Sequence, residues 1–169
     1  EIKGKTVGLL GFGAIARLVA KKLQCFNVEV IAFDLYPNEQ AAKEIGVRMT
    51  TQEEVITKSD IVSIHIPATP ETHHLFNKET IASMKDGAYL INPARGALVD
   101  LDAVAEALTS GKLAGAAMDA FEVEPLPLDS PILKCENIVL TPHTGAETKE
   151  SYYNVSMTTA RDIIKVIKG

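Results

Sequence analysis

Short apolar runs alternate with helical patterns along the whole chain, and this alternation restricts the possible folds more than any other feature. The predicted strands are aliphatic runs at 5–11, 28–34, 60–66, 88–94, 114–120 and 137–143. Helical patterns lie at 14–26, 38–46, 79–84, 100–111 and 148–168. Strands separated by helices favour parallel pairing, and uninterrupted apolar strands are typical of a sheet covered on both faces. We therefore predict an α/β fold with a doubly wound parallel sheet in three layers.

Composition excludes several classes of protein. With 169 residues, of which 46% are hydrophobic, the chain can form one domain with a sizeable core and is not disordered. No apolar run reaches the roughly 18 residues of a membrane span, and the net charge of −5 argues against nucleic acid as a partner. The two cysteines, Cys25 and Cys135, form no disulfide framework and show no metal-ligand spacing. We expect no metal and a cytoplasmic protein.

A glycine-rich stretch, LLGFGAIA, lies where the first strand gives way to the first helix. Gly11 suits a tight turn, Gly13 lets the backbone approach a pyrophosphate, and Ala16 keeps the helix close to the sheet. The helix N-terminus offers N–H groups and a partial positive charge to phosphates. A glycine turn alone can serve packing only, but this one follows a strand and opens a helix. We therefore expect a Rossmann-type dinucleotide site.

Asp34 ends the second predicted strand, 21 residues after Gly13. A carboxylate at this point accepts hydrogen bonds from the ribose of an adenosine, although an isolated aspartate here can also be a turn or helix cap. It would repel a 2′-phosphate, and the neighbouring Leu35 and Tyr36 offer no cation to bind one. The sequence therefore favours NAD over NADP.

Three ionisable residues lie just beyond later predicted strands, where a ligand of this fold binds. Arg95 is in INPARGALVD, Glu124 is in MDAFEVEPLP and His143 is in LTPHTGAETKES. A guanidinium can hold a carboxylate in a bidentate fork, and a histidine can exchange a proton with a substrate oxygen near neutral pH. A carboxylate beside that histidine fixes its tautomer. This is the set required to reduce a 2-oxo acid or to oxidise a 2-hydroxy acid.

Each of these residue types also has an ordinary structural explanation. An isolated arginine after a strand is usually a surface charge, and a glutamate before proline usually lies in a solvated turn. Asp119 ends a predicted strand and can either contact the nicotinamide amide or cap a loop. We interpret His65 as a strand-end residue near the cofactor, and His73 and His74 as parts of a surface loop.

Taken together, the motifs resemble the cofactor domain of the D-isomer-specific 2-hydroxyacid dehydrogenases, which include D-3-phosphoglycerate, D-lactate and glyoxylate/hydroxypyruvate enzymes. LLGFGAIA, VIAFD, SIHIPATPETHHLFN, MKDGAYLINPARGALVD, GKLAGAAMDAFEVEP and NIVLTPHTGAETKES occur in the family's order and spacing over essentially the whole chain. Two positions depart from the family pattern. Ala14 stands where arginine is frequent, so one phosphate contact is missing, and Ala16 replaces a third glycine.

The resemblance implies a function and a set of site residues. Arg95, Glu124 and His143 match the catalytic positions of an NAD-dependent enzyme that acts on a D-2-hydroxy or 2-oxo acid. The positions matched to the cofactor are Gly11, Gly13, Ala14, Ile15, Asp34, Ile66, Pro67, Pro93, Ala94, Arg95, Asp119, His143 and Gly145. The substrate stays open, although GAETKES leans toward the phosphoglycerate branch.

The resemblance also implies an organisation. In this family the cofactor domain is inserted into a substrate-holding domain, so residues 1–169 are expected to be an excised NAD-binding domain without it. A homodimer is expected, with 100–120 near the interface. An alternative function is an NAD-responsive module that binds other proteins, as in relatives that act as corepressors, and a further one is a fragment that folds but binds little.

Overall fold

Seven parallel strands form a single sheet in the computed structural model, which describes residues 1–168. The spatial order is β3-β2-β1-β4-β5-β6-β7. The strands are β1 (Thr6–Leu10), β2 (Glu29–Phe33), β3 (Arg48–Met49), β4 (Ile61–Ile64), β5 (Ala88–Asn92), β6 (Leu113–Met118) and β7 (Ile138–Leu140). The chain builds outward from β1 to β3 and then returns to the other side of β1 with β4. The predicted doubly wound topology is confirmed, and its switch point lies between β1 and β4.

Among the described residues, six α-helices connect or follow the strands: α1 (Ala14–Leu23), α2 (Glu39–Ile45), α3 (Gln52–Lys58), α4 (Lys78–Ser83), α5 (Leu101–Ser110) and α6 (Lys149–Lys168). Short 3₁₀ turns cover Gln24–Phe26, Gly96–Leu98 and Pro131–Lys134. The helix predicted over 14–26 therefore ends as an α-helix at Leu23. Its 3₁₀ extension stops at Asn27, which takes a left-handed conformation with φ 53°.

Two elements were not predicted from the sequence. Strand β3 has only two residues, too few for a hydrophobic pattern. Helix α3 has the sequence QEEVITK, in which Val55 and Ile56 are the buried residues, so its periodic signal is weak. A capping signal was nevertheless present, because the Thr51 side chain accepts a hydrogen bond from the Glu54 N–H at 3.1 Å.

The core divides into two parts, one on each face of the sheet. Leu9 and Ala32 pack with α1 and α2 on one face. Leu10 and Ile31, which are adjacent to Leu9 and Ala32 in the same strands, pack with α3, α4 and α5 on the other. Since successive side chains of a strand point to opposite faces, both faces of β1 and β2 need apolar residues. This explains the uninterrupted apolar runs and confirms the three layers in this half of the sheet.

The other half of the sheet is covered on one face only by the described residues. Tyr89 of β5 and Val139 of β7 are 48% and 63% exposed. Helix α6 has no buried residue. The third layer predicted here is therefore incomplete among residues 1–168, and apolar surface remains accessible on β5–β7.

Candidate cofactor cleft and catalytic residues

The glycine-rich turn joins the ends of three strands. Gly11 has φ +97°, a region that L side chains rarely adopt. Its N–H donates to the Phe33 carbonyl at 2.7 Å, and a Cβ added to it would lie 2.7 Å from the His65 carbonyl oxygen. Only glycine fits this junction between β1, β2 and β4. The predicted role of Gly11 in the turn agrees with this geometry.

Gly13 has a different reason for lacking a side chain. It is the N-cap of α1 with φ −72°, it makes no side-chain cap, and a Cβ added to it would meet nothing within 4 Å. The first N–H groups of a helix have no partner within the helix, so those of α1 point into open space with the positive end of the helix dipole. The fold does not need a glycine here, whereas close approach of a phosphate group would.

Asp34 is held firmly at the end of β2. Its Oδ2 accepts a hydrogen bond from the Phe12 N–H at 2.7 Å, and its Oδ1 accepts one from the Tyr36 N–H at 2.9 Å. Each carboxylate oxygen has further lone pairs available for a ligand. The carboxylate therefore also fixes the glycine-rich turn through Phe12, a structural role that the sequence pattern did not indicate.

A cleft of about 500 Å³ opens at the switch point beside these residues. It is lined by Gly13, Ala14, Ile15, Ala16, His65, Ile66, Pro67, Ala68, Pro93, Ala94 and Arg95. Free helix N–H groups, apolar walls and a carboxylate at the end of β2 suit the pyrophosphate, rings and ribose of a dinucleotide. The residues present therefore fit NAD.

His65 lies in this cleft, as its strand-end position suggested. Its Nε2 lies 3.0 Å from the Ser63 Oγ. Burial lowers the pKa of this histidine below its ordinary value of 6.5. The imidazole is therefore kept neutral beside the cofactor cleft.

Arg95 lies at the end of the cleft, beyond β5. Its side chain is exposed and donates to the Ala94 carbonyl at 2.8 Å. The turn that carries it is fixed by the buried Asn92, whose Nδ2 donates to the Arg95 carbonyl at 2.8 Å and whose Oδ1 accepts from Ala94 N–H at 3.1 Å. None of the ion pairs among residues 1–168 involves Arg95, so its guanidinium is available for a carboxylate. Sequence reasoning missed Asn92, although an asparagine ending an apolar strand was a usable signal.

Glu124 and His143 form a hydrogen-bonded pair beyond β6 and β7. His143 Nδ1 lies 3.0 Å from Glu124 Oε2 and 3.1 Å from Oε1. The Phe121 N–H donates to Glu124 at 2.8 Å, and this bond followed by that of His143 lowers the pKa of Glu124. His143 has φ 55°, a left-handed conformation that is uncommon for residues other than glycine. The pair leaves Nε2 of the imidazole for a substrate.

Asp119 stabilises the loop that carries His143. Its Oδ1 accepts from the Thr141 hydroxyl at 2.5 Å and the Thr144 N–H at 3.0 Å, and its Oδ2 accepts from the Gly145 N–H at 3.0 Å. These bonds, that of Thr141 first, lower the pKa of Asp119. A Cβ on Gly145 would lie 2.8 Å from Asp119 Oδ2, so glycine permits this contact. Of the two roles considered for Asp119, the hydrogen bonds observed are those of a loop cap.

The predicted residues therefore fall into two groups at the carboxyl edge of the sheet. The first group lines the cleft and comprises Gly13, Ala14, Ile15, Ile66, Pro67, Pro93, Ala94 and Arg95. Gly11 and Asp34 do not line it: they hold the turn in place through the Phe33 carbonyl and the Phe12 N–H. Asp119, Glu124, His143 and Gly145 lie beyond β6 and β7, the strands next to β5. Sequence reasoning missed Thr141, whose hydroxyl donates to Asp119, and Thr144, which donates through its backbone N–H, although both lie close to His143 in LTPHTG.

Comparison with known proteins agrees with this geometry. Residues 1–145 match the family described as "D-isomer specific 2-hydroxyacid dehydrogenase, NAD binding domain". Over its full length the chain is 45% identical to glyoxylate reductase of Thermofilum pendens, of which it covers 50%, and 44% identical to D-3-phosphoglycerate dehydrogenase of Bacillus subtilis, of which it covers 32%. A solved structure of D-lactate dehydrogenase from Aquifex aeolicus, complexed with NAD and lactic acid, superposes with a TM-score of 0.88 at 36% identity, covering 98% of this chain and 54% of that one.

The chain belongs to the D-isomer-specific 2-hydroxyacid dehydrogenase family, as an NAD-binding domain. The predicted fold, family and cofactor are thereby confirmed. The chain spans between about a third and about half of the length of the curated relatives that it matches. None of the helices in residues 1–168 combines the length and the apolar character needed to cross a membrane.

Proposed function

We propose that this chain is the NAD-binding domain of a longer dehydrogenase that interconverts a D-2-hydroxy acid and the corresponding 2-oxo acid. The proposal rests chiefly on the hydrogen-bonded pair of His143 and Glu124 at 3.0 Å. An exposed Arg95 follows β5 at the same edge of the sheet. The relatives' names support the class of substrate and leave its identity open, as glyoxylate reductase and D-3-phosphoglycerate dehydrogenase are similarly close.

NAD would lie in the cleft with its pyrophosphate against the N-terminus of α1 and its adenosine ribose at Asp34. Bound NAD supplies the hydride acceptor, and NADH the hydride donor. The Asp34 carboxylate, fixed by Phe12 and Tyr36 N–H groups, would repel the additional phosphate of NADP. We therefore propose a preference for NAD over NADP.

The substrate would be held and protonated by three side chains. Arg95 binds the substrate carboxylate in a bidentate fork and polarises the neighbouring oxo group. His143 donates a proton from Nε2 to the substrate oxygen in reduction and accepts it in oxidation. Glu124, ionised because of its lowered pKa, accepts from the Nδ1–H and thereby directs Nε2 at the substrate.

The chain itself supplies only part of what such a reaction requires. The cleft is open, and Arg95 is the only cation in its lining among the described residues. Positioning and exclusion of water can contribute roughly 7–11 kcal/mol to lowering a barrier. We propose that a substrate-holding domain of the longer protein supplies them, so the 169-residue chain binds NADH but turns over slowly or not at all.

Steady-state assays test this proposal with the chain and with the longer protein. Glyoxylate, pyruvate, hydroxypyruvate and phosphohydroxypyruvate are offered with NADH, and loss of NADH absorbance is followed. In the longer protein we expect His143→Ala to reduce kcat by roughly 10²–10⁴-fold. Glu124→Gln, which keeps an oxygen acceptor but removes the charge, should lower kcat and also shift the pH dependence of kcat. Retained NADH binding without turnover of any 2-oxo acid in the longer protein would instead favour the protein-binding module.

We propose further that the chain forms a homodimer with 100–120 near the interface. Within this stretch, β6 lies between β5 and β7, whose exposed Tyr89 and Val139 support an interface on the uncovered face of the sheet. Helix α5 packs on the opposite face, so this support applies to the β6 part of the stretch. Sedimentation equilibrium at tens of micromolar should give twice the 18.2 kDa of the chain, and Val139→Lys should shift it toward monomer. A purely monomeric unaltered chain would contradict the proposal.

A cytoplasmic location is proposed as well. The exposed Cys25 and the half-buried Cys135 are both free thiols, as is usual in a reducing compartment. Cell fractionation with a tagged protein tests this.

A further inference from the structure

Two adjacent histidines converge on one carboxylate outside the proposed catalytic site. His73 Nε2 lies 3.0 Å from Glu122 Oε1, and His74 Nε2 lies 2.9 Å from Glu122 Oε2. The three potential ligand atoms all lie within 4.8 Å of one another. The sequence placed His73 and His74 in a surface loop and gave no reason to connect them with Glu122, which is 48 residues further on.

The backbone brings these side chains together. Neighbouring side chains in extended chain point in opposite directions, but His74 has φ 47°, in the left-handed region. The two imidazole rings consequently stack with centroids 4.0 Å apart and an interplanar angle of 21°. A left-handed conformation at a residue other than glycine is costly and persists only where the surroundings impose it.

Both sides of the cluster rest on the same rigid turn. The His74 N–H donates to the Ala97 carbonyl at 2.8 Å. On the other side, a Cβ added to Gly96 would lie 2.2 Å from the Glu122 nitrogen and 2.0 Å from the Phe121 carbonyl carbon. The turn at Gly96–Leu98 thus contacts the backbone of both segments, so the histidines and the glutamate are held facing each other without a ligand.

We propose that His73, His74 and Glu122 form a binding site for a divalent transition-metal ion of the zinc class. Two imidazoles and a carboxylate are a donor set that Zn²⁺ prefers, with a solvent molecule completing a tetrahedron. At the usual ligand distances of about 2.0–2.2 Å, tetrahedral ligand atoms lie roughly 3.3 Å apart. The two Nε2–carboxylate separations of 3.0 and 2.9 Å are close to this value, and the ligand atoms all lie within 4.8 Å of one another. The exposed His73 ring and the half-buried His74 ring would turn toward a shared ion by rotation about their Cβ–Cγ bonds, which is a soft torsion.

The site has a structural consequence and does not depend on the proposed function. A bound ion would join the loop at His73 and His74 to the segment that follows β6. That segment also contains Glu124, two residues after Glu122. Metal binding would therefore stabilise the fold and restrain this segment, without entering the proposed chemistry.

The test uses the 169-residue chain, freed of any affinity tag, with ZnSO₄ and CoCl₂ as probes. Competition against a chromophoric chelator should show one Zn²⁺ per chain with a micromolar Kd. Co²⁺ should give the visible absorption of a tetrahedral site. Zn²⁺ at a hundredfold excess over Kd should raise Tm by roughly 5–10 °C.

Three variants and one control assign the site. His74→Asn keeps a residue that tolerates a left-handed conformation, and Glu122→Gln keeps the shape of the side chain. The third variant is His73→Asn. Each of these three single substitutions should raise the Zn²⁺ Kd tenfold or more, while circular dichroism shows an unchanged fold. His143→Asn, which removes the other histidine–glutamate pair, should leave the Kd unchanged. The proposal would be overturned if the unaltered chain did not bind Zn²⁺, or if the three variants bound it as tightly as the unaltered chain. Loss of Zn²⁺ binding in His143→Asn would overturn it as well.

Discussion

Replacing Gly13 by alanine should separate cofactor binding from folding. The residue has φ −72°, which any L residue adopts, and an added Cβ meets nothing within 4 Å. Alanine is a poorer N-cap than glycine by up to about 1 kcal/mol, whereas a less flexible unfolded chain recovers about 0.4–1 kcal/mol. The net change in the free energy of unfolding is therefore below about 1 kcal/mol. For a chain of this length, 1 kcal/mol corresponds to roughly 2–4 °C in Tm, so the change in Tm should be smaller than that.

The affinity for NADH should respond far more strongly. The added methyl group occupies the space through which a pyrophosphate approaches the first turn of α1, so the N–H groups no longer reach it at hydrogen-bond distance. We expect the Kd for NADH to rise roughly 10- to 100-fold, which corresponds to about 1.4–2.8 kcal/mol. Fluorescence titration of NADH measures the affinity, and thermal unfolding of the apo chain measures stability.

Gly87→Ala is the matched control for this prediction. Gly87 precedes β5 at the opposite edge of the sheet and has φ +75°, again with nothing within 4 Å of an added Cβ. Its replacement should cost about 1–2 kcal/mol of stability through the left-handed backbone alone, with unchanged NADH affinity. If Gly13→Ala bound NADH as tightly as the unaltered chain, the assignment of the α1 N-terminus to the pyrophosphate would be refuted.

Three further substitutions test other parts of the site. Asp34→Asn places an amide N–H against one of the N–H groups of Phe12 and Tyr36, so it should lower the free energy of unfolding by about 1–3 kcal/mol and narrow the ratio of NADPH to NADH Kd; an unchanged ratio in parallel titrations would contradict the repulsion argument. His65 has a folded-state pKa below its ordinary 6.5, so its neutral form contributes stability that is complete above pH 6.5 and is lost as the pH falls from there through the folded pKa. His65→Asn should therefore destabilise the chain less below pH 6.5 than above it, and a pH-independent difference in urea unfolding would show the burial argument to be wrong. Gly96→Ala forces a Cβ to within 2.0 Å of the Phe121 backbone and should lower Tm by more than about 8 °C, a shift that a differential scanning experiment would detect or disprove.

The sequence alone determined the class of fold and the position of the cofactor turn. Uninterrupted apolar strands separated by helices admit few solutions other than a parallel sheet with helices on both faces, since each strand must bury side chains on both sides. Gly11 and Gly13 lie where the chain changes from strand to helix, a local transition readable from neighbouring residues. Short-range signals of this kind also located Arg95, Glu124 and His143 just beyond strands whose carboxyl ends form one edge.

Only the tertiary structure decided which side chains meet, because those contacts join residues far apart in the chain. Asp34 reaches Phe12 and Asp119 reaches Gly145 through hydrogen bonds between loops of different strands. His74 and Glu122 approach each other because a turn at Gly96 holds both segments. Strand β3 was not predicted because its two residues acquire their conformation from pairing with β2. The uncovered face of β5–β7 could be identified only from the strand order, which places these strands beyond the reach of α1 and α2. A hydrophobic pattern records that a residue is buried, whereas the identity of its neighbour depends on how the strands are ordered in space.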